Sequence, residues 1–306
     1  MRILFMGTPD IAAQSLSAIL AQGRHTVCAV FTREDKPVGR KQVLTAPPVK
    51  TLALEHGIPV YQLRTLRTPE AAQTVRALAP DIIVVVAYGR ILPGEILSIP
   101  PHGAVNLHVS LLPKYRGAAP VQWSVINGDK RTGVTIMQLD EGLDTGDILR
   151  VAPVDIGAEE TSGELFERVS ALGAQTLLQS LDDIEQGRAQ PVPQDHALAT
   201  LAPPLTKEMA QFSFERDARS LHDLIRGLNP WPVAYFVHGG KKIKVLAARL
   251  DEQAKGRPGE VLCTKPLTVA CGSGALTLVQ VVPEGSRAMD GAAWAAGRRL
   301  RAGDML

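Results

Sequence analysis

The segment that most constrains the fold is Ile82–Val86, an uninterrupted run of β-branched residues. Such a run, without polar alternation, is typical of a strand buried on both faces in the centre of a parallel sheet. Further strand candidates occur at Ile3–Met6, at His25–Thr32 and at Val105–Val109, and segments with helical periodicity lie between the first of them. This alternation predicts an α/β fold with a Rossmann-like, doubly wound sheet.

In a doubly wound sheet, ligands bind beyond the carboxyl ends of the strands, where the strand order reverses. The first such strand end is followed by Gly7-Thr8-Pro9-Asp10. This turn lacks the Gly-x-Gly-x-x-Gly spacing of dinucleotide sites, and Pro9 has no backbone N–H to offer a phosphate. We therefore interpret it as a tight turn that lines a cleft, and not as a NAD site.

The pattern changes after a long amphipathic segment that predicts a helix from about Ser162 to Ile184. Residues 187–204 contain four prolines and no apolar periodicity, which indicates an extended linker. A predicted helix, Phe214–Leu228, and then short strands separated by glycine turns follow, and these strands favour a small antiparallel barrel of the OB-like kind. We predict a first domain over residues 1–188, a linker over 189–206 and a second domain over 207–306.

Charge is distributed unevenly over these domains. The net charge of the chain is +2, but residues 1–206 carry 18 basic and 21 acidic side chains, while residues 207–306 carry 15 and 10. A basic C-terminal third favours a polyanionic partner. The three cysteines form no Cys-x-x-Cys pair, so they predict neither a disulfide framework nor a zinc site. No apolar run is long enough for a signal peptide or a membrane span, and we expect a cytoplasmic protein without a membrane partner.

Polar residues alternate at the end of the strand that contains Val105. Because residues i and i+2 of a strand share a face, Asn106 and His108 project together into the predicted cleft, and Ser110 follows them. Buried polar groups are costly without partners, so this alternation indicates a functional pocket. The alternative is a strand histidine that is satisfied by its neighbours.

A second polar segment, Asp140–Asp147, contains the candidate carboxylate Asp144. A carboxylate beside an imidazole orients the ring and favours its protonated form, and together with an amide it can serve acyl transfer. The alternative is an acidic hairpin turn, and the EF-hand spacing is absent. The sequence has no Gly-x-Ser-x-Gly elbow, which favours direct transfer between two bound substrates. The cysteines offer no zinc ligand set, and we expect no metal.

Two basic segments lie outside these motifs. One is the polar stretch Arg33–Lys50, which follows the second strand, and the other is the run Lys241-Lys242-Ile243-Lys244. Each suits phosphate contacts. Each also has a simpler interpretation, as a solvated loop or as edge lysines that oppose aggregation.

The segment Asn106–Gln122, together with Gly133–Gln138 and Gly142–Ile148, resembles the signature of the folate-dependent formyltransferases. Gly7–Asp10, the loop around Lys36–Arg40, Val85–Gly89 and Asn229–Pro232 also agree, in the same order along the chain. The resemblance covers nearly the whole sequence. It is strongest to the members that formylate methionine on initiator tRNA.

This resemblance implies a function and a set of site residues. It implies formyl transfer from 10-formyltetrahydrofolate to the methionine of initiator methionyl-tRNA, with Asn106, His108 and Asp144 as the catalytic trio. It also implies a folate contact through Ser110, Leu111, Leu112 and Pro113. The expected tRNA-binding residues are Arg40, Lys41, Lys36, Lys241, Lys242 and Lys244. We expect a monomer.

Three other functions stay open at this point. One is a formyltransferase acting on glycinamide ribonucleotide or a UDP-aminosugar, and the second is a hydrolase of formyltetrahydrofolate. The third is a non-catalytic RNA-binding protein.

Overall fold

The computed structural model describes residues 1–39 and 41–306. These residues form two compact units. The first comprises Met1–Gly117, Gly133–Val154 and Glu167–Leu201, and the second comprises Ala118–Thr132, Asp155–Phe166 and Ala202–Leu306. Each unit thus combines segments that are distant in sequence, and the domain boundaries near residues 188 and 206 stay predictions.

The strands are β1 (Arg2–Gly7), β2 (Thr26–Phe31), β3 (Lys36–Val38), β4 (Val43–Thr45), β5 (Val60–Tyr61), β6 (Ile82–Val86), β7 (Ala104–His108), β8 (Arg116–Gly117), β9 (Arg131–Gln138), β10 (Ile148–Asp155), β11 (Leu201–Ala202), β12 (Tyr235–His238), β13 (Lys241–Asp251), β14 (Val261–Thr264), β15 (Leu267–Ala270), β16 (Ala275–Pro283) and β17 (Met289–Asp290). The helices are α1 (Asp10–Gln22), α2 (Pro48–Glu55), α3 (Pro69–Leu78), α4 (Gly94–Leu97), α5 (Pro120–Ile126), α6 (Ser162–Glu185), α7 (Ala218–Gly227) and α8 (Gly291–Gly297).

The first unit is built on a seven-stranded sheet with the order β10-β9-β7-β6-β1-β2-β5. β6 lies between β1 and β7, pairs in parallel with both, and is buried along its whole length. From β1 the chain first adds β2 and β5 on one side, and then β6 and β7 on the other. The doubly wound architecture is therefore confirmed, and its strand order reverses between β1 and β6.

The turn after β1 is tightly packed. A Cβ atom at Gly7 would lie 2.6 Å from Cβ of Ala12 and 2.9 Å from the carbonyl oxygen of Val86. Only glycine therefore fits where β1 passes into α1. This contact accounts for the glycine without a nucleotide phosphate and supports the tight-turn interpretation.

The second unit contains an antiparallel sheet with the order β12-β13-β16-β15-β14, and β17 pairs with β16. Register shifts interrupt β13 on either side of Ala247, and such bulges bend a strand. Among the described residues no ladder joins β12 to β14, so the sheet is curled but open. This curled antiparallel sheet is a half-barrel of the OB-like kind, and the fold class predicted from the strand spacing is confirmed.

The C-terminal segment after Met289 contributes to the core of this unit. The Trp294 side chain on α8 is buried and packs edge-on against Phe236, with ring centroids 5.9 Å apart. The backbone carbonyl of Asp304 then accepts the N–H of Val261 on β14 at 2.8 Å. The neighbouring Ala295 is also buried in this core.

The helix predicted over Phe214–Leu228 begins later than expected, at Ala218. The Asp217 carboxylate accepts the N–H of Ser220 at 2.8 Å and caps the first turn. Phe214 belongs instead to the aromatic core of the second unit. Among the described helices, none combines the length and the apolar character needed to cross a bilayer.

Candidate active site

Strand β7 carries the two polar side chains singled out from the sequence. Asn106 pairs with Val85 of β6 on one side and Met137 of β9 on the other, which places it in the middle of the sheet. Asn106 is 9% exposed and His108 is 6% exposed. The carboxamide of Asn106 has no hydrogen-bond partner among the described residues. A buried amide in this state is ready to bind a ligand.

The hydrogen bond to Tyr115 defines the tautomer of His108. Its Nε2 lies 2.9 Å from the backbone carbonyl oxygen of Tyr115. Because a carbonyl oxygen only accepts hydrogen bonds, Nε2 carries the proton in the neutral ring. The other nitrogen, Nδ1, lies 3.6 Å from Oδ2 of Asp144. The free lone pair of His108 therefore faces the carboxylate.

The backbone of Gly117 holds the Asp144 carboxylate in place. Its Oδ2 accepts the N–H of Gly117 at 2.8 Å. Asp144 itself has a φ of +53°, and Tyr115 has a φ of +61°. Left-handed backbone at such residues costs about 1–3 kcal/mol each and is concentrated at functional sites. The backbone on both sides of His108 is thus strained into the conformation that presents the Tyr115 carbonyl and the Asp144 carboxylate.

The predicted folate-contact segment, Ser110–Pro113, follows directly after β7. The Ser110 side chain is buried, and its hydroxyl donates to the Lys114 carbonyl at 2.7 Å. The Thr135 hydroxyl donates to the carbonyl of Ser110 at 2.7 Å and anchors the segment to β9. Leu112 is buried, while Leu111 and Pro113 are partly exposed. Ser110 therefore stabilises the turn, and Leu111 and Pro113 present a partly exposed apolar surface.

The first basic segment contains the short β3–β4 hairpin, which the sequence did not predict. Lys36 and Lys41 are exposed, and Arg40 lies outside the described residues. Lys50 is engaged elsewhere, because its Nζ lies 2.8 Å from a carboxylate oxygen of Asp35.

In the second unit, Lys242 and Lys244 alternate with the buried residues Ile243 and Val245 on β13. They therefore point to the outer face of the sheet, and Lys241 starts the same strand in an exposed position. The Lys242 ammonium lies 4.6 Å from the centre of the Tyr235 ring. All three lysines are accessible to a polyanion.

A group with metal-ligand chemistry occurs away from these residues, where His25 meets Asp182 and Glu185 of α6. The Arg24 guanidinium lies 2.8 Å from Asp182, and the amino group of Met1 lies 2.8 Å from Glu185. Since both carboxylates already have cationic partners, we interpret this group as an ion-pair cluster that joins α6 to β1 and β2.

Comparison with known proteins agrees with this architecture. The family model for formyl transferase matches residues 1–181, and the model for the formyl transferase C-terminal domain matches residues 204–299. The chain belongs to the formyl transferase family. The resemblance inferred from the motifs is thereby confirmed.

Curated relatives extend the match to full length. The methionyl-tRNA formyltransferase of Acetivibrio thermocellus is 45% identical over 100% of this chain and 99% of its own length. That of Myxococcus xanthus is 46% identical over 99% of this chain and 96% of its own. These sequence identities extend over nearly the whole chain and confirm that it is an enzyme of this family.

Solved structures share the fold at low identity. An N-formyltransferase from Helicobacter canadensis, crystallised with folinic acid and dTDP-3-aminofucose, superposes with a TM-score of 0.70 at 18% identity and covers 90% of this chain and 98% of its own. HypX from Aquifex aeolicus, in complex with tetrahydrofolic acid, gives a TM-score of 0.64 at 19% identity, over 96% of this chain and 47% of its own.

Proposed function

We propose that this enzyme transfers the formyl group of 10-formyltetrahydrofolate to the α-amino group of methionine on initiator tRNA. The observation that carries the proposal is the His108–Asp144 pair beside the unpartnered Asn106 carboxamide, at the carboxyl end of β7. The full-length match to methionyl-tRNA formyltransferases supports the choice of acceptor.

The reaction needs the methionine amine as a free base. A free α-amino group has a pKa of about 7.7–8.0, so a useful fraction is neutral near pH 7. When the amine attacks the formyl carbon, the formyl oxygen becomes negatively charged. We assign the Asn106 N–H as a donor to that oxygen, a role typically worth about 2.7–4 kcal/mol in oxyanion holes.

We assign the proton transfer to His108. Nδ1 is the nitrogen with a free lone pair, because Nε2 already donates to Tyr115. As the new N–C bond forms, the amine proton passes to Nδ1, and the resulting imidazolium faces the Asp144 carboxylate. The bond between the formyl carbon and the folate nitrogen then breaks, and the proton returns to that nitrogen. Protons and electrons balance without a covalent enzyme intermediate or a metal.

The partly exposed apolar surface after β7 supports donor binding. In the proposal, Leu111 and Pro113 contact the folate directly. Ser110 and Leu112 are buried and hold the segment in shape.

Exposed lysines on each unit support tRNA binding. We propose that Lys36, Arg40 and Lys41 contact the acceptor end, while Lys241, Lys242 and Lys244 contact the phosphate backbone. Each phosphate contact makes the slope of log affinity against log salt more negative, by about 0.9 on duplex DNA and about 0.7 on single strands. Replacing the three β13 lysines by alanine should therefore make that slope less negative, by up to about 2 to 3.

An acceptor competition tests the function. The enzyme is incubated with 10-formyltetrahydrofolate and, separately, with charged initiator tRNA, glycinamide ribonucleotide, a UDP-aminosugar or no acceptor. We expect formylmethionine with the tRNA and little formate without an acceptor. Preferential formylation of either small amine, or rapid formate release alone, would overturn the proposal.

We also propose that the enzyme is a cytoplasmic monomer. Each unit buries a hydrophobic core made of its own residues, and all three cysteines are free thiols. Light scattering should give the mass of one chain, 32.8 kDa. A mass of twice that value would contradict the monomer.

A further inference from the structure

A buried glutamine from the proline-rich stretch lies directly behind the Asp144 turn. Gln194 is only 6% exposed, although it directly follows Pro193 and the sequence predicts a linker there. The neighbouring Val192 exchanges both backbone hydrogen bonds with Ile148 of β10, at 2.8 and 2.9 Å. This part of the stretch is therefore docked on the first unit.

The Gln194 carboxamide holds the turn from behind. Its Nε2 donates to the carbonyl of Asp144 at 2.9 Å and to that of Gly146 at 2.7 Å. These two bonds use both of its N–H groups. Because Asp144 has the left-handed backbone conformation, the peptide on its C-terminal side needs support to remain in place.

Arg116 in turn orients Gln194. Its Nη2 and Nε donate to Oε1 of Gln194 at 2.6 and 3.2 Å, and this fork fixes which end of the carboxamide faces the turn. Arg116 is only 7% exposed. Among the described residues, no carboxylate lies within ion-pair distance of its guanidinium. Its guanidinium is directed to Gln194 and, through Nη2, to Nδ1 of His196 at 3.1 Å, and burying a charge without an opposite charge is costly.

These contacts close a ring of four residues. Gln194 binds the backbone of Asp144, Arg116 binds Gln194, and Gly117, the next residue, donates its N–H to the Asp144 carboxylate. Both the main chain and the side chain of Asp144 are therefore fixed by one connected set of hydrogen bonds. Among the described residues, no hydrogen bond joins the ring to Asn106 or to the Ser110–Pro113 segment.

We propose that Gln194, oriented by Arg116, is a positioning residue that sets the separation of Asp144 from His108. The inference rests on the proposed formyl transfer. Gln194 binds the backbone carbonyls of Asp144 and Gly146. We therefore expect it to affect the rate of the chemical step and to leave the affinities for both substrates unchanged.

The test is the variant Gln194→Glu. The two side chains have the same shape, and a carboxylate at position 194 still accepts from Arg116, but an oxygen replaces the N–H groups that face the two carbonyls. We expect kcat for methionyl-tRNA formylation to fall on the order of 10- to 100-fold, as for small misplacements of catalytic groups. The KM values for the donor and for the tRNA should change less than about threefold.

Gln190→Glu is the matched control, because it makes the same substitution at an exposed position of the same stretch. It should leave kcat and both KM values unchanged. Gln194→Met, which has similar length and no charge, serves if the glutamate variant does not fold. An equal rise in KM for both substrates, or wild-type kcat in the folded Gln194 variant, would overturn the positioning role.

A measurement on the wild-type enzyme is independent of activity. The amide proton of Gly117 should exchange slowly with solvent, and at least about tenfold faster in the Gln194 variant, because its acceptor is no longer fixed. Fast exchange in the wild type would contradict the ring. If the wild type formylates no methionyl-tRNA, the proposed function fails, whereas an active wild type with an equally active variant refutes only the role of Gln194.

Discussion

Replacing Asp144 by asparagine removes one charge from the site and keeps its shape. An amide oxygen at this position still accepts the Gly117 N–H, so the turn should be retained. The lost quantity is the attraction between the carboxylate and the imidazolium that forms when Nδ1 of His108 takes the amine proton. Across 3.6 Å, at an effective dielectric constant of about 20, this attraction amounts to about 4–5 kcal/mol. Since about 1.4 kcal/mol corresponds to a factor of ten, the upper limit is roughly a few thousandfold loss of rate.

The assay is single-turnover formylation of methionyl-tRNA, with enzyme in excess over both substrates. We expect Asp144→Asn to lower the rate on the order of 100- to 1,000-fold, while the affinity for tRNA stays within about twofold. Glu141→Gln removes the same charge from an exposed position of the same turn and should retain the wild-type rate. A rate within threefold of wild type for Asp144→Asn would refute the charge-pair mechanism.

Two predictions concern titratable groups outside the site. Burial lowers the pKa of His25 below its ordinary value of 6.5. Below pH 6.5 the unfolded chain therefore binds more protons than the folded chain, and the free energy of unfolding decreases as the pH is lowered. Urea unfolding should therefore show a larger loss of stability between pH 6.5 and 5 for the wild type than for His25→Gln, and equal losses would contradict this. Burial also raises the pKa of the Cys271 thiol to about 12, which leaves about one thiolate in ten thousand at pH 8. Iodoacetamide should label the exposed Cys263 in the native protein and spare Cys271 until urea is added, as peptide mass spectrometry will show; equal labelling of both would contradict the assignment.

The central sheet was predictable because its signal is local. Five consecutive β-branched residues at Ile82–Val86 have few alternatives to a strand buried on both faces, and the structure places them there. Asn106 and His108 were also found locally, since alternation along one strand fixes the face they share. Asp144 was different: its chemistry was visible in the sequence, but its proximity to His108 depends on the pairing of β7 with β9, which residue spacing does not encode.

The parts that sequence reasoning missed depend on long-range backbone contacts. The carbonyl that orients His108 belongs to the backbone of Tyr115. Because every residue has a backbone carbonyl, the sequence does not identify this one. Gln194 lies among prolines, whose composition predicts a linker, although this stretch pairs with β10. Its polar side chain became informative only when its burial was known. The burial of Trp294 was likewise not predictable, because the residues around it are mostly alanines without a clear apolar pattern.

Direct transfer is tested by following the formyl group itself. Donor with an isotopically labelled formyl group is mixed with excess enzyme, with and without charged initiator tRNA, and quenched at intervals. Direct transfer predicts that the protein acquires no label in either reaction, and that one labelled formylmethionyl-tRNA appears for each donor consumed. Label on the protein before tRNA is added, or formate as the main product in its presence, would contradict the mechanism.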